Sequence, residues 1–308
     1  MPAWKVHLFS QFRICGDEQR LSAAEGGKTQ ELLCYLLIHR CASYQRDHLA
    51  GMFWGECSTA QSRKYLRQAL WRLHAIYDAE FHQNCPRLLQ VSSESVRINP
   101  AIELWTDVGD FEQAYAHLQK GGAPDAECIE KMRQAVDLYC GDLLEGWDQD
   151  WVLFERVRLQ NIYLVMLDKL IGYCEARRRY DDGLDYGERA LHQDPTRERT
   201  HQQMMRLHYL SGDRIGALRQ FECCVALLKK ELGVEPTRST LEMYEQIRRD
   251  QLAPSLLSPS QTPPPAGTPE PSLFSRLAQL HTALIHVQQQ IQQEINRVEQ
   301  LLCREKSD

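Results

Sequence analysis

Residues 177–191, RRRYDDGLDYGERAL, and 211–225, SGDRIGALRQFECCV, align at an offset of 34. Leu184 then matches Leu218, Gly183 matches Ala217 and Ala190 matches Cys224. Thirty-four residues is the tetratricopeptide period, in which each unit is a helix pair that cannot bury its apolar face alone. The small residues at 183, 190, 217 and 224 let paired helices approach closely. Pro195 stands twelve residues after Gly183, where such a repeat closes, whereas the second copy has no proline there and runs on to LGVEP. Two repeats do not make a solenoid. TDVGDFEQAYAHL, ECIEKMRQAVDLYC and, after an aromatic GDLLEGW turn, DWVLFERVRLQNIYLVMLDKLIGYCEARRR have helical periodicity and are expected to complete the stack.

Ahead of this region the pattern changes. WKVHLFSQFRI, CGDEQ and RLS predict short strands over 4–22 with a turn at Gly16-Asp17. TQELLCYLLIH (29–39) predicts a helix with Thr29 as N-cap, and QRDHLAGMFW (45–54) a second helix entered near Asp47. TAQSRKYLRQALWRLHAIYD (59–78) predicts a third. LLQVSSESVRI (88–98) predicts a hairpin with a serine-rich turn, closed by Asn99-Pro100. Strands, three helices and a hairpin are the order of a winged helix-turn-helix with an added N-terminal sheet.

The third helix carries two opposed faces. At about 100° per residue, Leu66, Leu70, Leu73 and Tyr77 form a stripe suited to burial. Lys64, Gln68, Trp71 and Ala75 lie opposite, with Arg67 and Arg72 on the flanks. The net charge of −6 hides an asymmetry: residues 1–100 hold 12 Lys/Arg against 9 Asp/Glu, and the remainder 24 against 33. Phosphate binding answers to the local field, not to the total.

Several function classes drop out. The 11 cysteines are odd in number and lack a CxxC, which argues for a reducing, cytoplasmic setting over a disulfide scaffold. The start, MPAWKVHLFS, has no signal-peptide core, and no apolar run reaches the roughly 20 residues of a membrane span. SAAEGGKT (22–29) has Ser22 where a phosphate loop needs its first glycine, so it is expected to be a turn into the first helix. His82-x-x-Cys85 and His39-x-Cys41 have no partner pairs at zinc spacing, so neither a metal nor a cofactor is expected. No catalytic constellation stands out, so the chain is not expected to be an enzyme. Cys224 takes a small-residue slot in the repeat, which favours packing over redox sensing. Arg177, Arg178 and Arg179 are either a solvated interhelical corner or a dock for an anionic ligand.

Residues 253–272 hold 7 of the 13 prolines and are expected to be an exposed linker. Over 273–304, Leu273, Leu277, Leu280, Leu284, Val287, Ile291, Glu294, Val298 and Leu301 follow alternating spacings of 4 and 3, which predicts a coiled coil. Leu277, Leu280, Leu284, Val287, Ile291 and Val298 would form its seam and pair chains into a homo-oligomer. Glu294 interrupts the seam, and a stutter to Ile295 and Leu302 would restore it. The alternative is a helix docked back onto the repeats.

KTQELLCYLLIH, RDHLAGMFWGE and SRKYLRQALWRLHAIYD resemble the DNA-binding module of SARP-type regulators, the bacterial transcriptional activator domain (BTAD) proteins, whose N-terminal module is an OmpR-like winged helix. KKELGVEPTRSTLEMYEQI (229–247) resembles the signature that closes the family's tetratricopeptide-like region. The matches cover roughly residues 4–250 in the family's order, without the linker, the heptads or the ATPase domain of larger relatives. The resemblance implies a winged-helix DNA-binding domain over 1–100 and a helical BTAD domain over 101–252, which with the linker over 253–272 and the coiled-coil helix over 273–304 make a mainly α chain. It implies a cytoplasmic, nucleoid-associated activator that binds promoter DNA and recruits RNA polymerase. Lys64, Gln68 and Arg67 would then reach base edges, while Arg63, Arg72 and Arg97 would contact phosphates. Trp71 would pack against sugar and backbone or cover a neighbouring element. The competing expectations are a solvated basic face on an ordinary helix, and a protein–protein adaptor without DNA binding. The repeats leave room for a small-molecule or protein effector.

Overall fold

The structure, a computed structural model, describes residues 4–15, 20–21, 27–80, 87–119 and 125–252. The turn at Gly16-Asp17, the His82/Cys85 pair, the linker and the heptad segment with Leu277, Leu280, Leu284, Val287, Ile291 and Val298 lie outside the described residues.

Three short strands open the chain: β1 (Trp4–His7), β2 (Arg13–Cys15) and β3 (Arg20–Leu21). Antiparallel ladders pair β1 with β2 and β2 with β3. Alternation along β1 buries Trp4 and Val6 and leaves Lys5 exposed, the period-two signature of a half-buried strand. Three helices follow: α1 (Gly27–Ile38), α2 (Arg46–Trp54) and α3 (Thr59–Glu80). Two-residue β4 (Tyr44–Gln45) pairs with β6 (Ser95–Ile98) of the hairpin β5 (Leu89–Val91)–β6, giving the order β4-β6-β5. The helix expected over 29–39 begins earlier, at Gly27, so Thr29 is no N-cap: it lies inside the first turn and is buried.

Two strands went unforeseen: β4, whose Gln45 was expected to lie in the second helix, and the last strand. β7 (Leu104–Thr106) runs parallel to β1 and closes the order β3-β2-β1-β7. It feeds α4 (Asp107–Gln119), and then α5 (Ala126–Leu138), α6 (Asp150–Ala176), α7 (Tyr180–Gln193), α8 (Glu198–Leu210), α9 (Arg214–Leu227) and α10 (Arg238–Arg248). A π-helical turn, Leu228–Leu232, extends α9 to Gly233, whose left-handed φ of 67° ends it. Gly183, Ala190, Ala217 and Cys224 are all buried, and a Cβ on Gly183 would stand 2.8 Å from Leu207 Cδ1 on α8. The small residues of the 34-residue repeat are therefore sites of close helix approach.

The N-terminal sheet and α1 are fastened to the helical region by buried polar bonds. The Asp107 carboxylate at the start of α4 accepts from the backbone N–H groups of Leu8 (2.8 Å) and Phe9 (3.0 Å), and from its neighbour Val108 (2.7 Å). Burial pushes its carboxyl up to about 6, against the opposing pull of those backbone hydrogen bonds. The turn after β1 pairs with the segment before α6: Ser10 N–H donates to Asp142 O (2.8 Å), and Leu144 N–H to Leu8 O (2.9 Å). Buried Glu31 on α1 accepts from Trp151 Nε1 on α6 at 3.0 Å. One apolar cluster runs through all of these elements, from Trp4 to Ala190.

Candidate nucleic-acid interface

The turn between α2 and α3 is tight and specified by its residues. A Cβ on Gly55 would stand 2.5 Å from the Gly51 carbonyl oxygen. Buried Ser62 donates its hydroxyl to Trp54 O at 2.7 Å and lies 3.1 Å from Ser58 O, tying the end of α2 to the first turn of α3. Leu49, Ala50 and Phe53 of α2 and Leu66, Ala69, Leu70 and Leu73 of α3 are buried, which sets the two helices in place. The side chain of Tyr77, the last residue of the expected stripe, lies outside the described residues.

The other side of α3 is open. Arg63, Lys64, Arg67, Gln68, Trp71 and Arg72 are all exposed. Lys64, Arg67, Gln68 and Trp71 fall at i, i+3, i+4 and i+7 and share one face, while Arg63 and Arg72 flank it on opposite sides. Trp71 is 70% exposed, so it covers no neighbouring element. Among the described residues Lys64, Arg67 and Arg72 form no ion pair, and their charges face solvent. Arg63 differs: its Nε and Nη2 donate to the two carboxylate oxygens of Asp47 on α2, both at 2.7 Å. That partner, sixteen residues back, escapes a helix-by-helix reading of the sequence.

The hairpin carries Arg97, exposed on β6 and opposite Gln90 on β5, with Arg97 Nε donating to Gln90 Oε1 at 2.7 Å. Its serine turn is closed locally by Ser92 N–H to Ser95 O (2.8 Å). Arg46, at the start of α2, donates its backbone N–H to Glu94 O (2.9 Å) and its Nη1 to Ser92 O (3.1 Å). The tip of the hairpin is thus anchored to the helix-turn-helix by a residue the sequence reading passed over.

The remaining candidates have structural settings. Arg177 lies over the Tyr173 ring at 5.3 Å, Arg178 takes a left-handed φ of 57°, and Arg179 pairs with Asp182, so this basic run forms the turn between α6 and α7. Burial pushes the Cys224 thiol up to about 11, which makes it a weak nucleophile. Among the described residues no group of three His, Cys, Asp or Glu could hold a metal ion. No described helix is long and apolar enough to cross a membrane.

Residues 106–248 match the family described as Bacterial transcriptional activator domain. The regulatory protein AfsR of Streptomyces coelicolor is 25% identical over 218 residues, which is 70% of this chain but only 21% of that relative. A solved structure of Mycobacterium tuberculosis EmbR in complex with a low-affinity phosphopeptide superposes with a TM-score of 0.67 at 20% identity. The superposition covers 82% of this chain and 67% of that one, and shows a shared fold.

Proposed function

We propose that this chain, whose residues 106–248 match the bacterial transcriptional activator domain family, is a transcriptional regulator of the SARP type that binds promoter DNA through α3 and recruits RNA polymerase through its helical repeats. The observation that carries the reading is the exposed face of Lys64, Arg67, Gln68 and Trp71, opposite a buried leucine stripe. A helix of this kind fits the major groove, where Lys64 and Arg67 suit guanine and Gln68 suits adenine. Arg72 and the hairpin residue Arg97 take phosphates, and Trp71 packs against the backbone or a thymine methyl. Arg63 stands at the flank nearest α2. The heptads at 273–304 pair chains, and the proline-rich linker lets tails pair while DNA-binding modules align in tandem.

A mobility shift with fragments selected from a random DNA pool tests the reading. The wild-type chain should shift them, with log K falling against log salt at a slope of about −2 to −4. Lys64→Ala with Arg67→Ala should abolish the shift while leaving the circular dichroism spectrum unchanged. A slope near zero would overturn the phosphate contacts. A second reading, a protein–protein adaptor, draws on Leu153, Phe154 and Val157, exposed large apolar side chains within one turn of α6. It expects no shift from the wild type.

A further inference from the structure

The seven cationic or polar side chains assigned to DNA are not equivalent, because one of them is already taken. Arg63 presents the edge of its guanidinium to Asp47 through two parallel bonds of 2.7 Å. This is the fork-to-fork geometry in which an arginine charge is most fully matched. The side chains are 57% and 63% exposed, so the pair sits at the surface beside the binding face. A pair this open contributes little to stability. The packing of α2 on α3 is secured instead by buried Leu49, Ala50, Phe53, Leu66 and Leu70. Asp47 lies in the first turn of α2, where the helix dipole favours a carboxylate. In a helix-turn-helix this is the element that crosses the phosphate backbone. An unmatched carboxylate there would repel DNA, and an unmatched arginine would add a phosphate contact.

We propose that Asp47 is a positioning residue of the DNA-binding face, holding Arg63 in a neutral pair and so withdrawing it from the phosphate-contacting set. The assignment rests on the DNA-binding reading above. It leaves Lys64, Arg67, Arg72 and Arg97 as the cations that release counterions, and it keeps the sequence-independent part of the affinity low. Arg63 then contributes through what it cancels.

The test is a double-mutant cycle on the full chain, with a random-sequence 30-base-pair duplex as probe and the salt slope as readout. Asp47→Asn frees Arg63 and should steepen the slope by about 0.9, with affinity rising about threefold to tenfold at moderate salt. Arg63→Gln strands the carboxylate and should weaken binding several-fold. The double variant D47N/R63Q should return to the wild-type slope and affinity, and Asp47→Glu, which keeps the charge, should resemble wild type. A merely structural role would not restore binding in the double variant. If Arg63 contacts phosphate independently of Asp47, D47N leaves the slope unchanged and D47N/R63Q stays as weak as R63Q, which overturns the assignment alone. A wild-type chain that binds no duplex overturns it together with the DNA-binding reading.

Discussion

The two ends of the described molecule are held together by different means. At the N-terminal end the sheet, the winged helices and α4–α7 share one apolar cluster, in which Phe9 packs against Phe111 at 5.3 Å and Tyr139 at 4.9 Å. At the far end α8–α10 rest on a small cluster of Met205, Ala217, Ile247 and Leu252. There, polar ties make up the difference: Glu198 accepts from Thr237 N–H and Oγ1, both at 2.7 Å, and Gln202 donates to Thr240 Oγ1 at 2.6 Å. Phe221 stacks on Tyr244 at 4.1 Å. Apolar contacts between distant chain segments couple elements into one cooperative block, whereas neighbour-to-neighbour contacts let a repeat open by itself. The winged-helix module is therefore built into the block, and the last repeat is the part free to yield.

Four measurements would break or sharpen that contrast. Phe9→Ala should cost about 3–5 kcal/mol and destabilise strands and helices together. Urea unfolding followed by the fluorescence of the six tryptophans, all of which lie between residues 4 and 151 and so within the block, should give one transition, and two separate ones would dissolve the block. Asp107 comes next. Its folded pKa of about 6 lies above its unfolded value of roughly 3.9, so the native state holds the extra proton between them. Wild-type stability relative to Asp107→Asn should fall as pH rises from about 4 to about 6, by up to about 1.4 kcal/mol per unit. A flat difference would mean that the carboxyl titrates normally. Gly183→Val sits at the seam between the regions, where its Cβ would meet Leu207 Cδ1 at 2.8 Å and Cys174 Cβ at 3.2 Å. It should cost about 1–3 kcal/mol.

The smallest effect belongs to Glu198→Gln, at about 1 kcal/mol. It should raise hydrogen exchange in α10 and leave α1–α3 unchanged; a global effect would erase the contrast. Burial alone would raise the Glu198 carboxyl, but hydrogen bonds from Thr240 and Thr237 outweigh it and hold the pKa below the ordinary value. Its contribution is therefore present above the unfolded value of roughly 4.3 and lost as pH falls through the lower folded one.

What the sequence disclosed and what it withheld divide along the same line. Leu66, Leu70 and Leu73 announce the buried side of α3 by spacing alone, and the small residues 34 apart announce the close approaches of α7 and α9. Both signals are local and periodic. β7 is three residues long, too short for alternation to register, and its partner β1 is about a hundred residues away. The docking of Ser10 on Asp142 and of Glu31 on Trp151 joins positions more than a hundred residues apart, which no window detects. At the candidate site the open face of Lys64, Arg67, Gln68 and Trp71 was legible as helix periodicity. The neutralisation of Arg63 was not, because it depends on how α2 crosses α3. Thr29 failed as a cap because a good capping residue can also sit inside a helix whose start is fixed by what precedes it.

The parallel pairing of β1 with β7 has an evolutionary consequence. Because the first strand of the winged-helix module completes its sheet with a segment that lies after the hairpin, the module cannot be exchanged between proteins by recombination at the hairpin's end. A viable crossover must carry the chain through Asp107, so the winged-helix module and the beginning of the helical region are inherited together.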